Sequence, residues 1–392
     1  MKDFSTLFEI VREAVFALGR ELAAWKPSGA RALFGLEAML SVALSVVLAN
    51  ALHLSNTWWA AISGFAVMQT SFSSSIQRAV HRVLGTLLGA LLAALLGPMI
   101  GDRPWLFVPV LGLIGGAAIY FANGSKVAYA WMLGGITALM TMYEAHILVT
   151  FSATAAFAAL RVAEVVVGTL ACVIVASAFH FAPGWRTSIL PPGQTHTEAP
   201  ADIAAPSPAL SIEPSPASLR PVRTLLAVQC GIAIVILAAL TYVLKLPGFA
   251  QAMVTAVAIL LLPADTLAHL VERPVVVRMV QRVTGCLIAG VIALALLPLT
   301  QGNALLCIVA LSVGVWAGCH VQTGSEGASY VGRQFTIAFI MVFVQDHHWS
   351  ANPVPALMRL SGILTGIVVL ACVILATSRW RAATRAPMDA AG

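Results

Sequence analysis

The chain has 392 residues, of which 59 % are apolar and only 10 % charged, and its mean hydropathy is +0.91. An ordinary soluble domain carries about 25 % charged residues, so this balance excludes a soluble globular enzyme and places the chain in a bilayer. The net charge of +6 is spread over the edges of apolar stretches rather than gathered on one soluble face, which excludes a basic nucleic-acid-binding protein.

From the N-terminus, Phe4, Phe8, Val11, Val15, Leu18, Leu22 and Trp25 recur at alternating spacings of 4 and 3, while Glu9, Arg12, Glu13, Arg20 and Glu21 occupy other faces. Residues 1–27 are therefore expected to form an amphipathic helix ending at Lys26-Pro27. It would lie along the cytoplasmic interface or against the spans, a self-associating coiled coil of fewer than four heptads being the alternative. Lys2 and Asp3 open this segment without a short apolar core, so no signal peptide is expected and the first span serves as the insertion signal.

Apolar stretches able to cross ~30 Å of hydrocarbon follow, six in each half. In the first half they run near 33–54, 57–72, 83–101, 104–122, 128–144 and 157–181, and in the second near 224–244, 248–263, 283–299, 304–320, 333–345 and 357–377. The fold class expected is all-α, with about 12 transmembrane helices as two parallel six-helix repeats. The boundaries are 28–182 for the first repeat, 183–222 for a Pro/Ala/Ser-rich cytoplasmic linker with almost nothing to bury, 223–379 for the second repeat and 380–392 for a basic tail.

The repeat is visible residue by residue. Arg82-Val-Leu-Gly85 runs into an apolar Gly-rich stretch, and Arg282-Val-Thr-Gly285 does the same 200 positions on. Upstream, Arg31, Glu37 and Leu54 fall opposite Arg223, Gln229 and Leu246 at an offset of 192; downstream, Arg161 and Gly168 fall opposite Arg359 and Gly366. A duplicated apolar unit points to a transporter or channel with a pseudo-two-fold axis. With the N-terminus in the cytoplasm, only Arg103, Arg161, Lys245 and Arg359 of the 22 basic residues fall outside, which places both termini inside and gives the halves one orientation.

Two features point to where chemistry lies. Trp58–Thr70 and Phe249–Leu262 are too short to cross a bilayer comfortably, and Tyr129–Tyr143 and Gln334–Val344 are little longer. Matching short segments in both halves mark a central binding site, and the polar run Gln69 to Ser75 is either part of it or a solvated loop. Ionisable groups inside spans are costly and default to function. Glu37 is alone in the first span. Glu164 follows Arg161 by three residues, so the pair either neutralises itself or serves proton exchange. In the second half Gly362 replaces the acid, which leaves Arg359 as a candidate anion ligand. Arg82 and Arg282, before the Gly stripe, either reach lipid phosphate or line the entrance for an acidic substrate. Gly85, Gly89 and Gly285 are helix-packing positions, because small residues four apart allow close approach.

Other signals are weak. The six cysteines lie in or beside the spans without metal or CxxC spacing, and Asp346-His347-His348 is an isolated polar loop, so no metal is expected. Walker, HExxH and nucleophile-elbow patterns do not occur, so neither an ATP-driven pump nor an enzyme is expected, and no cofactor.

The run Trp58-Trp59-Ala…Met68-Gln69-Thr70-Ser-Phe72…Arg78…Arg82-Val-Leu-Gly85-Thr86-Leu-Leu-Gly89-Ala90 resembles the signature region of the fusaric acid resistance (FUSC) family, part of the aromatic acid exporter superfamily. Asn123…Tyr129-Ala…Thr137 and Arg161…Gly168 resemble that family's later spans. The similarity covers 31–181 well and 223–377 more loosely, since Cys286 and Ala289 replace Thr86 and Gly89 and Pro263-Ala-Asp265 departs from the Gln-x-Ser pattern. The resemblance implies a bacterial inner-membrane protein that exports aromatic or other organic carboxylic acids at the expense of the proton gradient. Larger members carry a soluble domain between the halves, here replaced by the linker. Distant plant relatives are dimeric anion channels, so a passive organic-anion channel is one alternative and a membrane scaffold protein another. The expected partners are small organic acids and membrane lipids, with a possible homo-oligomer and no nucleic acid. On this reading Arg82, Arg282 and Arg359 attract the carboxylate, Trp58, Trp59, Phe65 and Gln69 contact the substrate, and Glu37 or Glu164 exchanges the proton.

Overall fold

The computed structural model describes residues 2–24, 28–181, 219–244, 249–262, 267, 272–344, 349 and 352–389. Most of the expected linker, Pro263-Ala-Asp265 and Asp346-His347-His348 lie outside the described residues, as do Trp25-Lys26-Pro27 and the end of the basic tail. The described residues form thirteen helices and no strand.

These are α1 (Lys2–Ala24), α2 (Gly29–Ala51), α3 (Thr57–Val67), α4 (Phe72–Ile100), α5 (Pro104–Ala122), α6 (Ala128–Leu148) and α7 (Phe151–Phe181) in the first half. The second half holds α8 (Arg220–Leu244), α9 (Phe249–Leu260), α10 (Glu272–Thr300), α11 (Ala304–Gln322), α12 (Ser329–Phe343) and α13 (Val354–Asp389). Local chemistry sets several of the ends. Ser28 caps α2 by accepting from the Arg31 N–H at 3.2 Å, Pro104 supplies the first residue of α5, and Asn303 Oδ1 accepts from the N–H groups of Leu305 and Leu306 at the start of α11.

Eight of the helices are long and apolar enough to cross a membrane: α2, α4, α5, α7, α8, α10, α11 and α13. Helices α3, α9 and α12 are apolar but have 11, 12 and 15 residues. At 1.5 Å per residue the shortest spans about 16 Å, half of a bilayer's hydrocarbon. The fifth apolar stretch is longer than its pattern suggests, since α6 has 21 residues. The polar run at 69–75 is not one continuous loop either: α4 begins at Phe72, and the Ser75 hydroxyl accepts from the Gln69 N–H at 3.0 Å.

The chain divides into two compact units, and each draws helices from both halves of the sequence. The first comprises residues 1–87, 156–212 and 277–360. In it α2 packs on α3 and on α11, and α12 packs on α11 and α3. Close approach rests on missing side chains: Gly35 lies against Trp316, Gly314 against Phe339, and Gly64 between Ser41 and Ser45, where the Ser41 hydroxyl donates to the Gly64 carbonyl at 2.9 Å. The second unit comprises residues 88–155, 213–276 and 361–392. There α5 packs on α6 and α8, and α9 packs on α5, α6 and α8. The Asn123 amide closes the end of α9, donating to the Leu260 carbonyl at 3.0 Å and accepting from the Leu262 N–H at 3.1 Å.

Several contacts recur at the spacing of the sequence duplication. In the first unit Arg31 donates to the carbonyl of His320, in the last turn of α11. In the second, Arg223 donates to the carbonyl of Tyr120 at 2.9 and 3.2 Å, near the end of α5. A guanidinium at a helix C-terminus satisfies a carbonyl left without an intrahelical partner and meets the negative end of the helix dipole. Gly168 of α7 faces the Ala60 carbonyl of α3, and Gly366 of α13 faces the Ala252 carbonyl of α9. Gly89 of α4 meets Gly134 of α6, and Gly285 of α10 meets Val331 of α12, while Gly85 is buried. In all four glycine contacts a Cβ would collide with backbone.

Candidate functional site

The site begins at the first turn of α3. Trp58 and Trp59 are neighbours in sequence, yet their rings tilt together with centroids 4.3 Å apart, and both are buried. Two guanidinium groups lie over them. Arg161 of α7 places its Cζ 4.6 Å from the Trp59 ring and 5.2 Å from Phe157; Arg359 of α13 places its Cζ 4.8 Å from the Trp58 ring. These arginines occupy corresponding positions of the duplicated sequence, and both reach the short helix of the first half. Such a contact contributes about 2 kcal/mol when desolvated, and it leaves the N–H groups at the guanidinium edge able to donate.

The two arginines are held differently. Arg161 pairs with Glu164 at 3.0 Å, and Glu164, with no exposed surface, also accepts from the Asn56 N–H at 2.9 Å. Asn56 precedes α3, so the carboxylate sits at the positive end of that helix, where a negative charge is favoured. Arg359 instead donates to backbone carbonyls at the end of α12, Met341 and, at 3.4 Å, Val344; Gly362 stands three residues on, where the first copy has its acid. The Trp59 indole N–H is buried without an acceptor among the described residues.

The remaining expected site residues have other neighbours. Phe65 is buried in α3. Gln69 donates to the Met68 carbonyl and accepts from Arg78 at 3.5 Å. Arg282 donates to the Gln334 side chain of α12 at 2.5 Å. Because α4 starts at Phe72 and α10 at Glu272, Arg82 and Arg282 stand ten residues inside their helices, about 15 Å from the ends. Both are buried within the protein. Arg82 and Glu37 both lie within electrostatic reach of Cys172 on α7. Gln229, the counterpart of Glu37, donates to the Thr377 hydroxyl at 2.8 Å.

The structure thus brings Trp58, Trp59, Arg359, Arg161 and Glu164 together. Sequence reasoning assigned Arg161 only to its acid, and passed over Asn56 and Phe157. The signal for Arg161 was available, since it shares a register position with Arg359; no local pattern pointed to Asn56.

Helices of this length and hydropathy, with charges buried inside them, define an all-helical, multi-pass integral membrane protein. Residues 43–175 match the family described as fusaric acid resistance protein-like, and that stretch includes Trp58, Trp59, Arg82, Arg161 and Glu164. The first half of the chain is therefore similar to that family over this stretch, while Arg359 and the second half lie beyond the match. No curated protein and no solved structure matches the chain.

Proposed function

We propose that the protein is an inner-membrane exporter of aromatic or other organic carboxylic acids, driven by the proton gradient. Its twelve membrane segments form two parallel six-helix repeats with both termini in the cytoplasm. The observation that carries this reading is the convergence of Arg161 and Arg359, one from each copy, on Trp58 and Trp59. An aromatic carboxylate needs a cationic donor for its oxygens and a flat apolar surface for its ring, and this cluster offers both chemistries. Arg359 would hold the carboxylate, with the Trp59 N–H as a further donor. The Glu164–Arg161 pair would keep Trp59 and the start of α3 in place. Glu37, a buried acid in α2 whose counterpart is a glutamine, would carry the exchanged proton. The family description supports the substrate class, because fusaric acid is itself an aromatic carboxylic acid.

The test is transport of labelled fusaric acid or benzoate by purified protein in liposomes with an imposed pH gradient. Wild type should move the label against its gradient. Arg359→Gln should lower the rate about tenfold or more, since losing a hydrogen bond to a charged group costs roughly 1.5–3 kcal/mol. Wild-type rates in Arg359→Gln would remove the site, and lack of transport of any aromatic carboxylate would remove the function. A flux that never exceeds the electrochemical gradient of the anion would identify a channel instead.

A further inference from the structure

Helix α1 has three faces rather than two. At 100° per residue, Ile10, Ala14, Ala17 and Glu21 share one face, and all four are buried. Beside it runs the apolar stripe Phe8, Val11, Val15, Leu18 and Leu22, and this stripe is not packed against the protein: Phe8, Val15 and Leu22 are 64 %, 52 % and 49 % exposed. Opposite both lie Glu9, Arg12, Glu13 and Arg20. The heptad-like apolar pattern thus marks a face turned away from the protein, and a less conspicuous set of small residues makes the contact.

The end of α1 is fixed at the level where membrane helices stop. The buried Glu21 carboxylate accepts from Arg31, in the first turn of α2, at 2.5 Å and from the Glu326 N–H, in the turn between α11 and α12, at 3.1 Å. It fills the space left by the missing side chain of Gly324, and Arg20 pairs with Glu326 at 3.5 Å. Helix ends and their connections mark the boundary between hydrocarbon and headgroups.

We propose that α1 is an interfacial helix. Phe8, Val11, Val15, Leu18 and Leu22 are seated in the headgroup–acyl boundary of the bilayer, and Glu21 pins the helix to α2 and to the α11–α12 turn. The apolar stripe adjoins the buried face, so one orientation places the helix against protein and lipid together and turns the charged face to water. A seam with the same helix of a second copy needs charges on both of its flanks, whereas here one flank is already covered by the chain itself. Glu9, Arg12, Glu13, Arg20 and Glu21 nearly cancel, so seating does not depend on anionic lipid. Phe16, 58 % exposed on the charged face, is not explained by this arrangement.

The test uses the full chain with Cys372, the exposed cysteine, changed to Ser; the other five are buried. An environment-sensitive fluorophore is placed on a cysteine at Val15 or at Glu13, and the protein is reconstituted in phosphatidylcholine vesicles. The Val15 label should be quenched severalfold more by lipids brominated near the glycerol than by aqueous iodide, and the Glu13 label should show the reverse. Both patterns should persist when phosphatidylglycerol is added. Equal iodide quenching at the two positions would overturn the proposal, as would excimer emission from pyrene at Val15, which would identify a second copy as the partner. Glu21→Gln should increase iodide access at Val15; unchanged quenching there would remove Glu21 as the pin.

Discussion

Replacing Glu164 with Gln keeps the shape of the side chain and an oxygen for the Asn56 N–H, but removes the negative charge 3.0 Å from Arg161. Removing one partner of a buried ion pair typically costs about 3–5 kcal/mol, because the remaining charge stays desolvated. The Trp59 and Phe157 rings keep part of their attraction for the guanidinium, about 2 kcal/mol in a dry site, which moves the expected loss to the lower end of that range. In detergent, unfolding followed by size-exclusion fluorescence should show an apparent melting temperature lower by roughly 5 °C or more. The double variant Arg161→Met/Glu164→Leu should recover most of that loss, since a buried pair replaced by apolar groups of similar volume is often neutral. Stability of Glu164→Gln equal to wild type would refute the premise of a charged pair. A double variant as unstable as the single one would show that apolar groups cannot stand in for the pair, since Leu also removes the acceptor for the Asn56 N–H.

Three further outcomes are expected. Gly168→Leu and Gly89→Leu should each lower the yield of folded protein in the membrane, because a side chain there meets the backbone of Ala60 or Gly134; overpacking costs about 1–3 kcal/mol, and unchanged yield and activity would place these faces against lipid. Glu37→Gln should abolish proton-driven export but retain exchange of labelled for unlabelled substrate in vesicles, whereas loss of both would assign Glu37 a structural role. Cysteine labelling beside Arg103 should occur from outside intact cells and labelling at Ser207 only after permeabilisation; access to Ser207 in intact cells would overturn the proposed topology.

Several local contacts were legible because residues that correspond in the two halves of the sequence carry the same local task. Arg31 and Arg223 read as corresponding positions from sequence, and each caps a helix whose acceptor residues, His320 and Tyr120, also correspond. Gly168 and Gly366 behave likewise against Ala60 and Ala252. What periodicity could not supply was the choice of partner. An apolar face looks the same whichever helix covers it, so nothing local shows that α2 packs on α11 and α5 on α8, or that each compact unit mixes the halves. The same limit hid the inner face of α1, where Ala14 and Ala17 contribute less hydrophobicity than Phe8 or Val15 but permit closer approach.

At the candidate site the two copies depart from one another, and that departure has a physical logic. Ala250 and Gln251 of α9 stand where α3 has Trp58 and Trp59, so α9 lacks the paired indoles at these two positions. Only the first copy supplies an acid three residues after its arginine. The arginine with that acid, Arg161, is held in an ion pair at the start of α3; Arg359 reaches the same aromatic pair across about 300 residues of sequence and donates to the Met341 and Val344 carbonyls. On the proposed function, Arg359 is the position at which loss of charge should affect transport more than folding, whereas loss of the Glu164 charge should affect folding first.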